Sequence, residues 1–178
     1  MKVPPEINKP APGGILICGR DPGSEEVSVG KPFVGPAGRL LDQALSQAGL
    51  RRQDVTVIAG DERQSFGRDD AATGSSYAAC LAGRHSANLL VTLGQQAAYD
   101  FVPDWPEHAT AIQDRRGYIW QGVTGGKVLT TLWPEECLLR SDPSGIKAML
   151  LGADLERAKK EANVRELGRK LLQIRVLS

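Results

Sequence analysis

One glycine- and proline-rich stretch contains the residue types most suited to chemistry. Residues 19–38 read GRDPGSEEVSVGKPFVGPAG and place one aspartate, Asp21, and one phenylalanine, Phe33, among several glycines and prolines. Because glycine lets the backbone approach a ligand closely, this stretch is predicted to face a bound molecule. Asp21 has two interpretations: a catalytic carboxylate, or a turn residue, since an aspartate before Pro22 is typical of a turn.

The elements around this stretch predict where it lies. Residues 13–19, GGILICG, are a short apolar run between glycines and favour a buried parallel strand. Residues 36–48 repeat leucine and alanine at helical spacing, with Pro36 in the first turn and Gly49 as the stop. The glycine-rich stretch is therefore predicted to join the carboxyl end of a strand to the start of a helix.

The rest of the chain alternates between strand and helix patterns. Such alternation indicates the α/β class, with a mostly parallel central sheet whose ligand sites lie at the carboxyl ends of the strands. The patterns predict strands at 54–60, 88–94, 117–122 and 127–133, with a turn at 124–126 between the last two. They predict helices at 76–87, 95–102 and 144–172, where Gly152 could divide the last into two, and irregular chain at 63–76 and 104–114.

Composition limits the classes of function. The 178 residues fit one domain, and a formal net charge of +1 argues against a strongly basic nucleic-acid binder, so DNA contacts would depend on local patches or backbone amides. No apolar run is long enough for a transmembrane helix, and no membrane partner is expected. Residues 1–13 are rich in proline, lack the apolar core of a signal peptide and are predicted to be a flexible lead-in.

The cysteines indicate a reducing environment. Cys18, Cys80 and Cys137 lie far apart and form no C-x-x-C pair. Neither a disulfide framework nor a zinc site is therefore expected. The pattern predicts an intracellular, cytoplasmic protein.

Residues 15–45, ILICGRDPGSEEVSVGKPFVGPAGRLLDQAL, resemble the first motif region of the uracil-DNA glycosylase superfamily and are most similar to its family-4 type. That type reads Gly-Glu-x-Pro-Gly, an acidic stretch, then Gly-x-Pro-Phe-Val-Gly-x-Ala-Gly and a leucine-rich helix. The segments LLVTLGQQAA, RRGYIW and VLTTLWPEECLLR are similar to later segments of the family. The resemblance implies a three-layer α/β/α sandwich over residues 14–160, followed by a C-terminal helix or connector at 161–178.

The motifs of this chain differ from the family at the positions of its chemistry. Arg20 replaces the motif glutamate, and the next residue, Asp21, resembles the Gly-Gln-Asp-Pro motif of family-1 enzymes, whose aspartate assists the attack of water. Trp133 stands in place of the motif histidine, or Glu135 does if a one-residue insertion is placed differently. The asparagine that reads uracil falls near residues 59–61 and is expected to be lost.

Family-4 enzymes also hold an iron–sulfur cluster, which needs four cysteine ligands. Only Cys80 lies near an expected ligand position in this chain. Neither a cluster nor another metal or cofactor is therefore expected.

The resemblance implies that a base is flipped out of the DNA stack into a pocket. Phe33 would stack on that base, with a core aromatic as the alternative, and Asp21 would activate water or stabilise the sugar cation. Arg20 would bind a phosphate or pair with Asp21, and such pairing would lower the pKa of that carboxyl. Trp133 would donate its indole N–H to the leaving base, act as a wedge, or be a surface-to-core aromatic.

Two groups of site residues follow from these roles. The base pocket is predicted to comprise Gly19, Arg20, Pro22, Gly23, Phe33, Ala59 and Trp133. Backbone N–H groups at helix starts suit DNA phosphates, with ordinary helix entry as the alternative. The predicted phosphate contacts are Gly35, Ala37, Gly38, Gly94, Gln95 and Pro134.

Three functions remain open from the sequence. The first is an atypical DNA glycosylase that removes uracil or a modified pyrimidine. The second is a catalytically degenerate member that binds DNA or a flipped base as an accessory module of viral replication or repair, and the third is a protein-interaction module that keeps only the scaffold. The protein is expected to be a monomer. Domains similar to this one occur fused to phage-type polymerases. A DNA polymerase or replication protein is therefore expected as a further partner, and a phage in a bacterial host as the origin.

Overall fold

The central element of the fold is a mostly parallel sheet. The computed structural model describes residues 14–19, 22–59, 87–106, 111–122 and 126–164. Within these ranges the strands are β1 Gly14–Gly19, β2 Val55–Ala59, β3 Ala87–Leu93, β4 Ile119–Gln121 and β5 Lys127–Thr131. They form one sheet in the order β2-β1-β3-β5-β4, in which β4 is antiparallel to β5 and the other pairs are parallel. The predicted α/β class and mostly parallel sheet are confirmed.

β1 is a continuous apolar run, and the other parallel strands combine apolar residues with buried threonines, because both faces of the sheet are covered. β2 and β5 are buried along their whole length, and the register of β1 places Ile17 beside Val57 on one side and Val91 on the other. Burial of these side chains stabilises the sheet by about 25 cal/mol for each Å² of apolar surface removed from water. The sheet is therefore a rigid base from which loops at its edge can be positioned.

The described ranges also contain five α-helices: α1 Ser24–Val29, α2 Pro36–Gln47, α3 Gly94–Phe101, α4 Ala111–Arg115 and α5 Ile146–Ala162. Short 3-10 turns occupy Arg52–Asp54 and Pro134–Cys137. α2 begins at Pro36 and is followed by Gly49 at φ +70°, as the sequence predicts. Its Leu41 and Leu45 are buried in the core, which α5 also covers.

Three segments differ from the sequence-based expectation. α1 lies inside the stretch predicted to be loop, because Glu25 and Glu26 favour its N-terminus and Gly30 ends it at φ +72°. α5 continues through Gly152, which is buried and packs so closely on α2 that a Cβ would lie 3.0 Å from a facing side chain. α4 occupies part of the segment 104–114, which the sequence predicts to be irregular.

Some predictions concern segments outside the described residues. These are the lead-in at 1–13, the loop and helix predicted over 63–87 except Ala87, which begins β3, and the turn residues 124–125. The last predicted helix, 144–172, ends at Ala162 in the structure, and its part beyond 164 is outside the described residues. Among the helices of the described ranges, none combines the length and apolar character that crossing a membrane requires.

The strand order creates a crevice at one edge of the sheet. From β1 the chain proceeds to β2 on one side of β1 and then crosses to β3 on its other side, so the strand order reverses at β1. In open α/β sheets, ligands bind at such a point, outside the carboxyl ends of the strands. Gly19 ends β1 at this edge, and Gly94 and Trp133 lie just beyond β3 and β5.

Candidate functional site

A cavity of about 430 Å³ opens at the carboxyl edge of the sheet. This volume falls within the range of pockets that bind small ligands. The walls come from α1, the start of α2 with its preceding loop, the end of β2 and the segment after β5. The lining residues are Pro22, Gly23, Ser24, Glu25, Glu26, Phe33, Gly35, Pro36, Ala37, Ala59, Trp133, Glu135 and Arg140.

Most of the predicted base-pocket residues meet at this cavity. Pro22, Gly23, Phe33, Ala59 and Trp133 line it, although they come from three separate parts of the chain. The cavity therefore brings together the residues that the sequence grouped from its motifs.

The candidate catalytic residue, Asp21, and its neighbour Arg20 lie outside the described residues. The residues on either side are described: Gly19 ends β1, and Pro22 lines the cavity. Residues 60–61, which follow the lining residue Ala59, are also outside the described ranges.

Phe33 has a strained backbone conformation in the cavity wall. Its φ of +54° lies in the left-handed region, which residues with side chains rarely adopt. Gly38 makes room for it, since a Cβ at that glycine would overlap the Phe33 carbonyl group. Arg52 donates to the neighbouring Pro32 carbonyl over 2.7 Å and fixes the loop from the other side. Strain of this kind costs about 1–3 kcal/mol and persists where the surroundings fix the conformation, often at functional sites.

Two aromatic rings form the apolar wall of the cavity. Phe33 is 6% exposed, and its ring centroid lies 5.7 Å from that of Trp133 with the planes tilted by 60°. Gly19 lies against both rings, because a Cβ there would overlap Phe33 and come within 2.9 Å of Trp133. A flat base between two parallel rings needs about 7 Å, twice the usual carbon–carbon contact distance. A base would therefore stack on one of these rings and not between them.

Gly94, a predicted phosphate contact, instead packs against the tryptophan. Its φ is +83°, and a Cβ at this position would lie 3.1 Å from the Cβ of Trp133. The next residue, Gln95, donates from Nε2 to the Pro106 carbonyl over 2.7 Å. Neither residue lines the cavity, and their contact with a DNA phosphate stays a prediction.

The other predicted phosphate contacts divide in two. Gly35 and Ala37 line the cavity where α2 begins. Gly38 and Pro134 are buried beside the cavity without lining it. Two of these four residues therefore lie at the cavity, and the phosphate contacts stay a prediction.

Three glutamates at the cavity were not predicted as a group from the sequence. Glu25, Glu26 and Glu135 all line it, and the sequence indicates only Glu135, as an alternative position of the motif histidine. Glu26 is buried, and its Oε1 accepts the Gly35 N–H over 3.1 Å. The donor that was predicted to bind a phosphate is thus already bonded to a carboxylate. The signal for this arrangement is α1, whose first turn contains Glu25 and Glu26.

Within the described lining, Arg140 is the cation that faces these carboxylates. It forms an ion pair with Glu135, and both side chains are substantially exposed. An exposed pair of this kind contributes about 0–1 kcal/mol, so an incoming phosphate can compete for the guanidinium. The described lining is net acidic, which favours a ligand that presents N–H donors.

The described residues do not fit a metal or iron–sulfur site. They contain no group of three or more histidine, cysteine, aspartate or glutamate side chains that could hold a metal ion. Cys137 donates from Sγ to the Trp133 carbonyl over 3.4 Å, and burial raises the pKa of this thiol to about 12. The thiol is therefore protonated at neutral pH, and the chain has only three cysteines where a cluster needs four.

Comparison with known proteins gives a family match and several similar relatives. Residues 5–162 match the sequence profile of the Uracil DNA glycosylase superfamily. A type-4 uracil-DNA glycosylase of Pyrobaculum aerophilum is 29% identical over 156 residues, which cover 81% of this chain and 80% of the relative. A type-4 uracil-DNA glycosylase of Thermotoga maritima is 32% identical over 151 residues, which cover 82% of this chain and 76% of the relative.

Proposed function

Because this chain belongs to the uracil-DNA glycosylase superfamily, we propose that it is an atypical glycosylase that removes uracil or a modified pyrimidine from DNA. The observation that carries the proposal is the cavity of about 430 Å³ at the carboxyl edge of the sheet, with Phe33 and Trp133 in its wall. An enzyme that acts on a base flips it into such a pocket and holds it by stacking and hydrogen bonds.

Phe33 is proposed to stack on the flipped base. Its ring is fixed by the strained loop and by Gly19, so little conformational freedom is lost when a base binds. The strained φ of +54° supports a functional role over that of an ordinary core aromatic.

Asp21 is proposed to activate water or to stabilise the sugar cation as the glycosidic bond breaks. Two observations support it: the resemblance to the family-1 motif, and the position of its neighbours Gly19 and Pro22 at the border of the cavity. Arg20 is proposed to bind a phosphate or to pair with Asp21.

Trp133 is proposed to offer its indole N–H to the leaving base, whose oxygen becomes negatively charged. An indole cannot carry positive charge, and Glu25 and Glu135 in the same lining oppose a developing anion. Loss of one well-placed donor costs roughly 10²- to 10³-fold in rate. We therefore expect slow release of uracil, and tighter binding of a pyrimidine whose amino group can donate to a glutamate.

The test is an assay of base release from single- and double-stranded oligonucleotides that contain uracil or an aminopyrimidine at one position. Release by the wild-type protein that is lost in Asp21→Asn supports the enzyme. Asparagine has nearly the same size as aspartate, so a loss reports the charge and not the packing. Release that continues undiminished in the variant contradicts the role of Asp21.

A second candidate is a catalytically degenerate member that binds DNA or a flipped base without cutting. The net acidic lining and the contact between the two rings favour it, since both hinder the release of an anionic base. Binding without release, weakened by salt and by Phe33→Ala, would support this candidate. No binding to DNA would overturn both.

Either activity is proposed to occur inside the cell, with the protein as a monomer. For the binder, a DNA polymerase or another protein of viral replication or repair is the proposed partner. The support for this setting is the resemblance to domains that are fused to phage-type polymerases.

A further inference from the structure

The segment RRGYIW, residues 115–120, does not line the cavity, yet it presents aromatic side chains beside it. Tyr118 is 57% exposed, and its ring centroid lies 6.2 Å from that of Trp120. The guanidinium of Arg115 lies over the Trp120 ring, 5.9 Å from its centroid. Arg115, Tyr118 and Trp120 are together termed the aromatic edge.

The backbone of the aromatic edge is fastened to the end of β5. Thr130 donates from Oγ1 to the Arg115 carbonyl over 3.0 Å, and its own carbonyl accepts the Gly117 N–H over 2.7 Å. Tyr118 follows directly, so its backbone is fixed although its ring is exposed. A side chain on a rigid support loses less entropy when it binds a partner.

Side chains that are buried or partly buried pack against the aromatic edge and fix its position. Arg116 donates two hydrogen bonds to Asp154, of 2.6 and 2.9 Å, and Asp154 also accepts one of 2.5 Å from the Thr131 hydroxyl. The buried Trp105 packs edge-on against Trp120, with ring centroids 5.7 Å apart. These contacts hold the backbone and the inner ring in place.

Tyr118 lies near the cavity along the same edge of the sheet. Ile119 pairs with Leu129, so the preceding residue, Tyr118, lies beside Thr130. Thr130 is three residues before Trp133 in the chain. At about 3.3 Å per residue and about 4.8 Å between strands, the backbones of Tyr118 and Trp133 are about 10–12 Å apart. Stacked bases rise about 3.4 Å per nucleotide, so about three nucleotides cover this distance.

We propose that the aromatic edge binds an unpaired base of the DNA strand, about three nucleotides from the base in the cavity. The base stacks on Tyr118, and Arg115 contacts a neighbouring phosphate. The proposal rests on the proposed function, because the strand is positioned by the nucleotide in the cavity. Stacking on an aromatic ring next to an arginine is how proteins bind single strands without reading their sequence.

The chemistry of this surface favours nucleic acid over a protein partner. One exposed ring beside one guanidinium is far smaller than the roughly 800 Å² that each partner of a stable protein interface buries. Stacking of a single base, by contrast, needs one aromatic face, and the positive charge of Arg115 complements a phosphate. A DNA strand whose flipped base lies in the cavity would continue along the same sheet edge and reach Tyr118.

The test measures the affinity of the full chain for a fluorescent single-stranded 12-mer with one central uracil, by anisotropy. Tyr118→Ala is expected to weaken binding by roughly five- to 150-fold, the measured range for loss of one stacked base. Tyr118→Phe keeps the ring and should recover most of the affinity. Met149→Ala is the matched control, because this exposed apolar side chain lies on α5. Thermal unfolding of each variant checks that it is folded.

Two further arms separate this inference from the proposed function. Arg115→Gln should reduce the slope of log affinity against log salt by about 0.7, the value for one phosphate contact on a single strand. If Phe33→Ala weakens binding and Tyr118→Ala does not, the aromatic edge is overturned while the pocket stands. If Tyr118→Ala and Met149→Ala have equal effects, the inference also fails. A wild-type chain that binds no 12-mer contradicts the proposed function itself.

Discussion

The Oε1 of Glu26 accepts the backbone N–H of Gly35 over 3.1 Å, and this bond joins α1 to the loop that carries Phe33. The other oxygen of the carboxylate, Oε2, lies 2.5 Å from where a Cβ at Gly23 would be. One buried side chain therefore lies against both Gly23 and Gly35 of the glycine-rich stretch. Because Gly35 directly precedes α2, the same bond also fixes the start of that helix.

Glu26→Ala should destabilise the protein and loosen the Phe33 loop. The substitution leaves the Gly35 N–H without its carboxylate acceptor, and an unsatisfied buried donor costs about 1–3 kcal/mol. Glu26→Gln keeps an acceptor oxygen and should cost less. Urea unfolding measures both, with Glu25→Ala as a control expected to change stability by no more than about 0.5 kcal/mol. Equal losses for Glu26→Ala and Glu25→Ala would contradict the role of this bond.

Gly38→Ala should also destabilise the protein, although alanine is the better helix former. In an exposed helix the change would gain about 1 kcal/mol. In this chain a Cβ would overlap the Phe33 carbonyl, so the loop must shift, at a cost of about 1–3 kcal/mol or more. The measurement is the free energy of unfolding, compared with Ser46→Ala at an exposed position of the same helix. A gain in stability would show that the loop moves freely away.

The elements that the sequence predicts correctly have local signals. α2 has Pro36 at its start and Gly49 after its end, and β1 is an unbroken apolar run between glycines. α1 has only weak local signals, Glu25 and Glu26 in its first turn and Gly30 at its end, because a six-residue helix is too short to show a period or to be stable alone. It is supported by a bond to Gly35, which lies nine residues from Glu26 and becomes a neighbour only in the folded chain.

The site residues also divide into those that local motifs indicate and those that only the folded chain brings together. Phe33 and Trp133 could be placed in a pocket because recognisable motifs contain them, and both line the cavity in the structure. The acidic lining could not be predicted, since Glu135 lies more than a hundred residues from Glu25 in sequence. Gly152 was expected to divide α5 but does not. It packs closely against α2, and this contact cannot be seen in the local sequence.

The start of α5 should lose stability in acid through Asp142. The Ser144 hydroxyl and the Lys147 N–H donate to this carboxylate and lower its pKa below the ordinary value of 3.8. A lowered folded-state pKa contributes stability that is present above the unfolded pKa and lost as the pH falls through the folded pKa. The melting temperature of Asp142→Asn should therefore lie below that of the wild type at pH 5–7. The difference should shrink as the pH falls through the acidic range, and a difference independent of pH would contradict this assignment.

Trp133→His tests whether the residue after β5 limits base release. An imidazole supplies a donor that can also carry positive charge, and one well-placed donor is worth roughly 10²- to 10³-fold in rate. The smaller ring also relieves the contact with Phe33, whose centroid lies 5.7 Å away in the wild type. We expect faster release of uracil from a single-stranded oligonucleotide, measured in single-turnover assays. Trp133→Phe is the matched control, since it reduces the ring without adding a donor. An equal rise in the release rate of both variants would show that the smaller ring, and not a new donor, causes the effect. No rise in the histidine variant would show that this position does not limit release.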